Sequence, residues 1–163
     1  MYTFIVKNIG RFCFMVSVCC LLGLGVASSA LAGGLVDNED GTVTDTNTGL
    51  MWSKTAHPFG GVPVPWSTAE SQAPSFSAGG KTGWRVATKS ELQQLFQNMS
   101  GAENPFTNLT DMGGNVHWTS TDISGHKAEE YHSCYVIDMT KGRVISIGRD
   151  KAYAYIWPVR RAN

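Results

Sequence analysis

Past position 20 the chain has one cysteine, Cys134; the other three, Cys13, Cys19 and Cys20, lie near the amino terminus. A chain that loses that terminus can form no internal disulfide, so packing must hold it together. The longest uncharged apolar run falls short of the ~20 residues a membrane-spanning helix needs. Catalytic signatures are missing as well. There is no Gly-x-Ser-x-Gly elbow, no phosphate-cradling glycine loop, and no pair of histidines spaced for one helical face. No internal repeat or low-complexity tract occurs.

What the amino terminus does have is the pattern of an export leader. Lys7 and Arg11 precede an uncharged stretch from Phe12 to Val26, and a run of small residues ends at Ala30-Leu31-Ala32. The expectation is a signal peptide over 1–32, with cleavage leaving Gly33 first. The mature domain of residues 33–163 would then sit in the periplasm or outside the cell, with no stable membrane span. Lipid attachment at Cys19 or Cys20 is disfavoured, because Val18 and Cys19 stand where a small residue is required.

The formal charge is zero overall, but it is unevenly spread. Gly33 to Asp138 holds five basic against twelve acidic residues, whereas Met139 to Asn163 holds six against one. Such segregation fits a solvated face, and it equally fits a patch for anionic partners. At 131 residues the mature chain can bury one core of ordinary size. All five tryptophans, Trp52, Trp66, Trp84, Trp118 and Trp157, stay with it.

Local patterns set the elements. Asp40-Gly41 between Leu35-Val36-Asp37 and Thr42-Val43-Thr44 predicts a hairpin, and Leu50-Met51-Trp52 a buried strand. Ser67 and Glu70 have capping-box spacing, and so do Thr88 and Glu91. Pro74 limits the first helix, while Leu92, Leu95, Phe96 and Met99 form the apolar stripe of the second. Strands are expected over Val116 to Ser120, Tyr131 to Met139, Arg143 to Gly148 and Ala152 to Arg161. The last of these would carry Tyr153, Tyr155, Trp157 and Val159 on one face. If the final strands form one meander, the basic residues gather along an edge.

Candidate site residues follow from that layout. Arg143, Arg149, Lys151 and Arg160 form the cationic set, and Trp66, beside the proline-rich loop, is the tryptophan expected to be exposed for ligand stacking. The other tryptophans fit a core. Asp37, Asp40 and Asp45 have calcium-type oxygens but lack EF-hand spacing, and polar turns account for them. Cys134 reads as a small buried residue. His126 and His132 lie in or beside one loop. No cofactor is expected.

Four segments together resemble a known family, the Lcl C-terminal-like domain. They are Val36 to Asp45 with Thr48-Gly49-Leu50-Met51-Trp52; Trp84-Arg85-Val86-Ala87-Thr88-Lys89-Ser90-Glu91-Leu92; Val116-His117-Trp118-Thr119-Ser120; and Pro158-Val159-Arg160-Arg161. Ala87 departs from the family's proline. The resemblance implies a C-type-lectin-like fold of α+β class, with antiparallel β-sheet, two short helices and long loops. It also implies adhesion: the name-giving member trimerises at the end of a collagen-like stalk and binds sulfated polysaccharide. No Gly-x-y tract occurs here. The expected function is therefore an exported, non-catalytic binding or adhesion module for glycans, sulfated ones among them, or for partner surface proteins. An oligomer is left open and nucleic acid is disfavoured. The alternative is a structural or accessory component of an envelope or surface assembly. A formylglycine-generating-type enzyme ranks third, since its copper-holding cysteine pair is absent once the leader is gone.

Overall fold

Polar turns organise the start of the described chain. The computed structural model describes residues 34–100, 103–109, 115–123, 133–149 and 152–163. The expected leader, Lys151, His126 and His132 lie outside those residues. Strands β1 (Leu35–Asp37) and β2 (Thr42–Asp45) form the predicted hairpin, with Gly41 at φ 86° in the turn. A second turn leads into β3 (Leu50–Ser53), every residue of which is buried.

Helix α1 (Trp66–Gln72) does not start as expected: its N-cap is Pro65 and no side chain caps it. Ser67 is thus inside the helix and cannot serve as its cap. Trp66 becomes the first helical residue and turns inward. It is 7% exposed and meets Trp118 edge-on at 5.7 Å, which corrects its assignment as the exposed tryptophan.

Helix α2 (Lys89–Met99) follows β4 (Arg85–Val86) and carries the predicted capping box. Thr88 Oγ1 accepts from the Glu91 amide at 3.3 Å, and Glu91 Oε2 accepts from the Thr88 amide at 2.8 Å. Replacing Thr88 by Ala is expected to cost ~0.5–2 kcal/mol, measured as a lower denaturant midpoint. Leu92 and Leu95 are fully buried, with Phe96 and Met99 packed at the margin.

The remaining strands are β5 (Val116–Asp122), β6 (Ser133–Asp138), β7 (Arg143–Gly148) and β8 (Pro158–Arg161). They do not form one meander. β5-β6-β7 is a three-stranded antiparallel sheet, while β8 joins the five-stranded sheet β1-β2-β3-β8-β4. The expected single strand over Ala152 to Arg161 is correspondingly broken. Tyr153 is 65% exposed, whereas Ala154, Ile156 and Trp157 are all buried. The segment passes between the two sheets and buries residues of both parities, so strict alternation fails before Pro158.

The architecture is α+β, with two antiparallel sheets and two short helices. One core gathers Val43, Trp52, Leu92, Leu95, Ile137 and Trp157, joining the first sheet, α2 and β6. A second places Trp66 and Ala69 against Trp118, Cys134 and Val136. Trp84, Trp118 and Trp157 are core residues at 2%, 0% and 1% exposure. Among the described residues, no helix is long and apolar enough to cross a membrane.

Candidate functional site

Strand register decides which side chains share a face. β8 pairs with β3 so that Arg161 stands opposite Leu50, and with β4 so that Arg85 stands opposite Val159. Opposed residues of an antiparallel pair share a face, as do residues two apart on one strand. Leu50, Arg85 and Arg161 therefore project to one side of the sheet, the side on which α2 packs. Glu91, in the first turn of α2, reaches the same place. The result is a cleft of about 620 Å³ lined by Thr48, Gly49, Leu50, Arg85, Glu91 and Arg161, with Ala162 and Asn163 at its rim.

Arg85 and Glu91 close on one another as a fork, at 2.8 and 2.6 Å. That hydrogen bond raises the Arg85 pKa against the opposing effect of burial. Burial alone would raise the Glu91 carboxyl, but hydrogen bonds from Arg85 and Thr88 outweigh it and hold the group below the usual carboxylate range. Both charges are thus fixed at neutral pH. Arg161 is exposed, and no described acid lies within ion-pair distance of it.

Of the predicted cationic set, the three described members, Arg143, Arg149 and Arg160, do not converge. Arg143 lies 3.5 Å from Asp138 at one end of β7. Arg149, just past the other end, pairs with Asp122 and sits 5.0 Å over the Trp66 ring. Six strand residues separate the two arginines by roughly 20 Å. Arg160 belongs to the other sheet, where it donates to main-chain oxygens of Thr82, Arg161 and Asn163 at 2.6, 2.9 and 3.4 Å. Of the predicted ligand residues that are described, Arg149 and Trp66 are the pair brought together, and Trp66 is buried in that contact.

The acidic hairpin spends its oxygens on its own turns. Asp37 accepts from Lys54 at 2.5 Å and from the Glu39 amide at 2.9 Å, and the Lys54 hydrogen bond leads in lowering its pKa. Asp40 accepts from the Thr42 amide and hydroxyl, and Asp45 from the Asn47 amide and the Asn98 side chain. Among the described residues, no three His, Cys, Asp or Glu side chains gather as a metal site.

Sequence spacing gave no hint of a ring stack formed by His57, His117 and Tyr155. Its members are far apart in the chain and meet through a loop and an isolated bridge between His117 and Tyr155. His57 lies 3.9 Å from Tyr155 and 5.2 Å from His117, ring centre to ring centre. His117 is fully buried, with its ring nitrogens facing the Asn115 and Ala56 carbonyl oxygens at 3.1 and 3.3 Å. Burial, reinforced by neighbouring His57, pulls its pKa down to about 3. Burial pushes the Cys134 thiol up to about 12. An aqueous disulfide reagent is accordingly expected to leave Cys134 unmodified in the native protein and to label it fully in denaturant; rapid native labelling would contradict its burial.

A family profile described as the Lcl C-terminal domain matches residues 41–160 of this chain. No curated protein matches.

Proposed function

Since this chain belongs to the Lcl C-terminal domain family, we propose that it is an exported, non-catalytic binding module with a C-type-lectin-like fold that recognises glycans. The observation that carries the reading is the cleft between β3, β8 and the start of α2. It joins an ordered Arg85–Glu91 fork, an unpaired guanidinium at Arg161 and the apolar Leu50 in about 620 Å³. Sugars are recognised by such a mixture, because hydroxyls take directional hydrogen bonds while the C–H face of the ring takes apolar contact. The non-catalytic part draws support from the state of the reactive groups. His117 is held neutral and inaccessible, and Cys134 is buried far from its thiolate form.

A glycan array probed with the mature protein tests recognition. Specific hits competed by the free oligosaccharide are expected; a blank array with co-purifying envelope proteins would replace this reading with the accessory role. Export has its own check. The leader features place the first mature residue at Gly33, so intact mass of the recovered protein should correspond to residues 33–163. A species that keeps residues 1–32 would contradict cleavage.

A further inference from the structure

Among the described residues that line the cleft, Arg161 is the guanidinium with no side-chain carboxylate within ion-pair distance, and that favours a ligand of low negative charge. Arg85 has both terminal nitrogens engaged by Glu91, so its charge is offset before any ligand arrives. Arg161 has no such partner among the described residues, and it shares its sheet face with Leu50, directly opposite on β3. Gly49, next along the wall, stands at φ 68° with open space where a side chain would project. The wall beside Arg161 is therefore bare backbone at Gly49, with Leu50 buried beneath it.

The rest of the basic end does not reinforce it. Arg143 is drawn to Asp138, Arg149 to Asp122, and Arg160 is held by backbone carbonyls behind the cleft. Among the described residues, Arg143 and Arg149 are offset by acids and stand at opposite ends of β7, so they present no continuous row to a polyanion. A ligand with one negative charge on a neutral polar body is the better match.

Resting on the binding reading above, we propose that the cleft takes an acidic sugar with a single carboxylate per recognised unit. The Arg161 guanidinium meets the carboxylate as a planar fork. The sugar hydroxyls donate to the Glu91 oxygens, and the ring's C–H face rests against the exposed wall at Gly49. Recognition therefore rests on one ion pair and a set of neutral contacts. Its salt dependence is shallow, unlike that of a polyanion that must neutralise several cations at once.

The test is a calorimetric titration of the mature protein with a galacturonate tetrasaccharide, its neutral galactose counterpart and a heparin tetrasaccharide, each at low and high sodium chloride. Wild type, Arg161→Ala, Arg161→Lys and Arg143→Ala are compared, with melting curves to show that all four are folded. The galacturonate oligomer should bind in preference to the galactose oligomer. Arg161→Ala should weaken it about tenfold or more. Arg161→Lys should restore only part of the loss, because an ammonium is a point charge, and Arg143→Ala should change nothing. Two results would overturn the inference while sparing the binding reading: heparin bound most tightly with steep salt dependence and no effect of Arg161→Ala, or equal binding of the galactose and galacturonate oligomers. Binding of none of the three oligosaccharides, together with a blank array, would remove both.

Discussion

Replacing Trp157 by alanine is expected to leave the protein barely folded at room temperature. The ring is 1% exposed and lies in the core shared by the first sheet and α2. It meets Phe106 edge-on at 4.9 Å and Trp52 at 6.0 Å, and its indole nitrogen donates to the Ser53 carbonyl at 2.9 Å. Truncation to alanine removes the transfer energy of the ring and leaves a cavity, ~3–5 kcal/mol for a buried aromatic. It also strands the Ser53 carbonyl, for about 1–3 kcal/mol more. Domains of this size have about 5–15 kcal/mol in total, so the loss takes a large share. Trp157→Phe keeps most of the volume and forfeits the hydrogen bond, so it should fall between wild type and alanine. Urea unfolding orders the three. A midpoint for Trp157→Ala no lower than that of Thr88→Ala would contradict the packing described for this core.

Mild acid should weaken the fold through His117. His117 stays neutral in the folded protein down to about pH 3, because burial and then neighbouring His57 disfavour its charge. In the unfolded chain the same ring takes a proton near pH 6.5. Below that pH the unfolded state binds the extra proton, so stability is complete above ~6.5 and declines as pH falls, by up to ~1.4 kcal/mol per pH unit. Between pH 6.5 and 4.5 the decline should reach about 2–3 kcal/mol from this ring. His57, lowered by its own burial, adds in the same direction. Asp37 and Glu91, whose pKa values are lowered in the fold, contribute only at lower pH, as they become protonated. Urea midpoints at pH 7.5, 6.5, 5.5 and 4.5 measure the slope. In His117→Leu the slope over this window should become shallower, whatever the height of the plateau. An unaltered slope would place the acid sensitivity in another group.

How much of this was legible in the sequence depended on the range of the interaction. The first hairpin and the α2 capping box were readable because Asp40-Gly41 and Thr88 with Glu91 act within a few residues. Ser67 and Glu70 have the same spacing as Thr88 and Glu91, yet α1 starts at Trp66, because burying that ring fixes the helix origin. The chain's charge asymmetry is plain in the sequence, but a count along the sequence carries no sheet assignment. β8 goes to the first sheet through Trp157 and Val159, and with it Arg160 and Arg161 leave the neighbourhood of Arg143 and Arg149. The cleft was half visible. Arg85 and Glu91 stood together in one motif, but Arg161 joins them only through the register of β8 between β3 and β4.

On that register, the proposed ligand enters beside Arg85, Glu91 and Arg161. The most direct measurement is a backbone amide chemical-shift titration of the isotopically labelled mature protein with an oligosaccharide that scores on the array. Saturable shifts are expected at Thr48 to Leu50, Arg85, Glu91 and Arg161 to Asn163, with β7 unmoved. Shifts centred on Arg143 to Arg149, with the cleft residues unchanged, would contradict it.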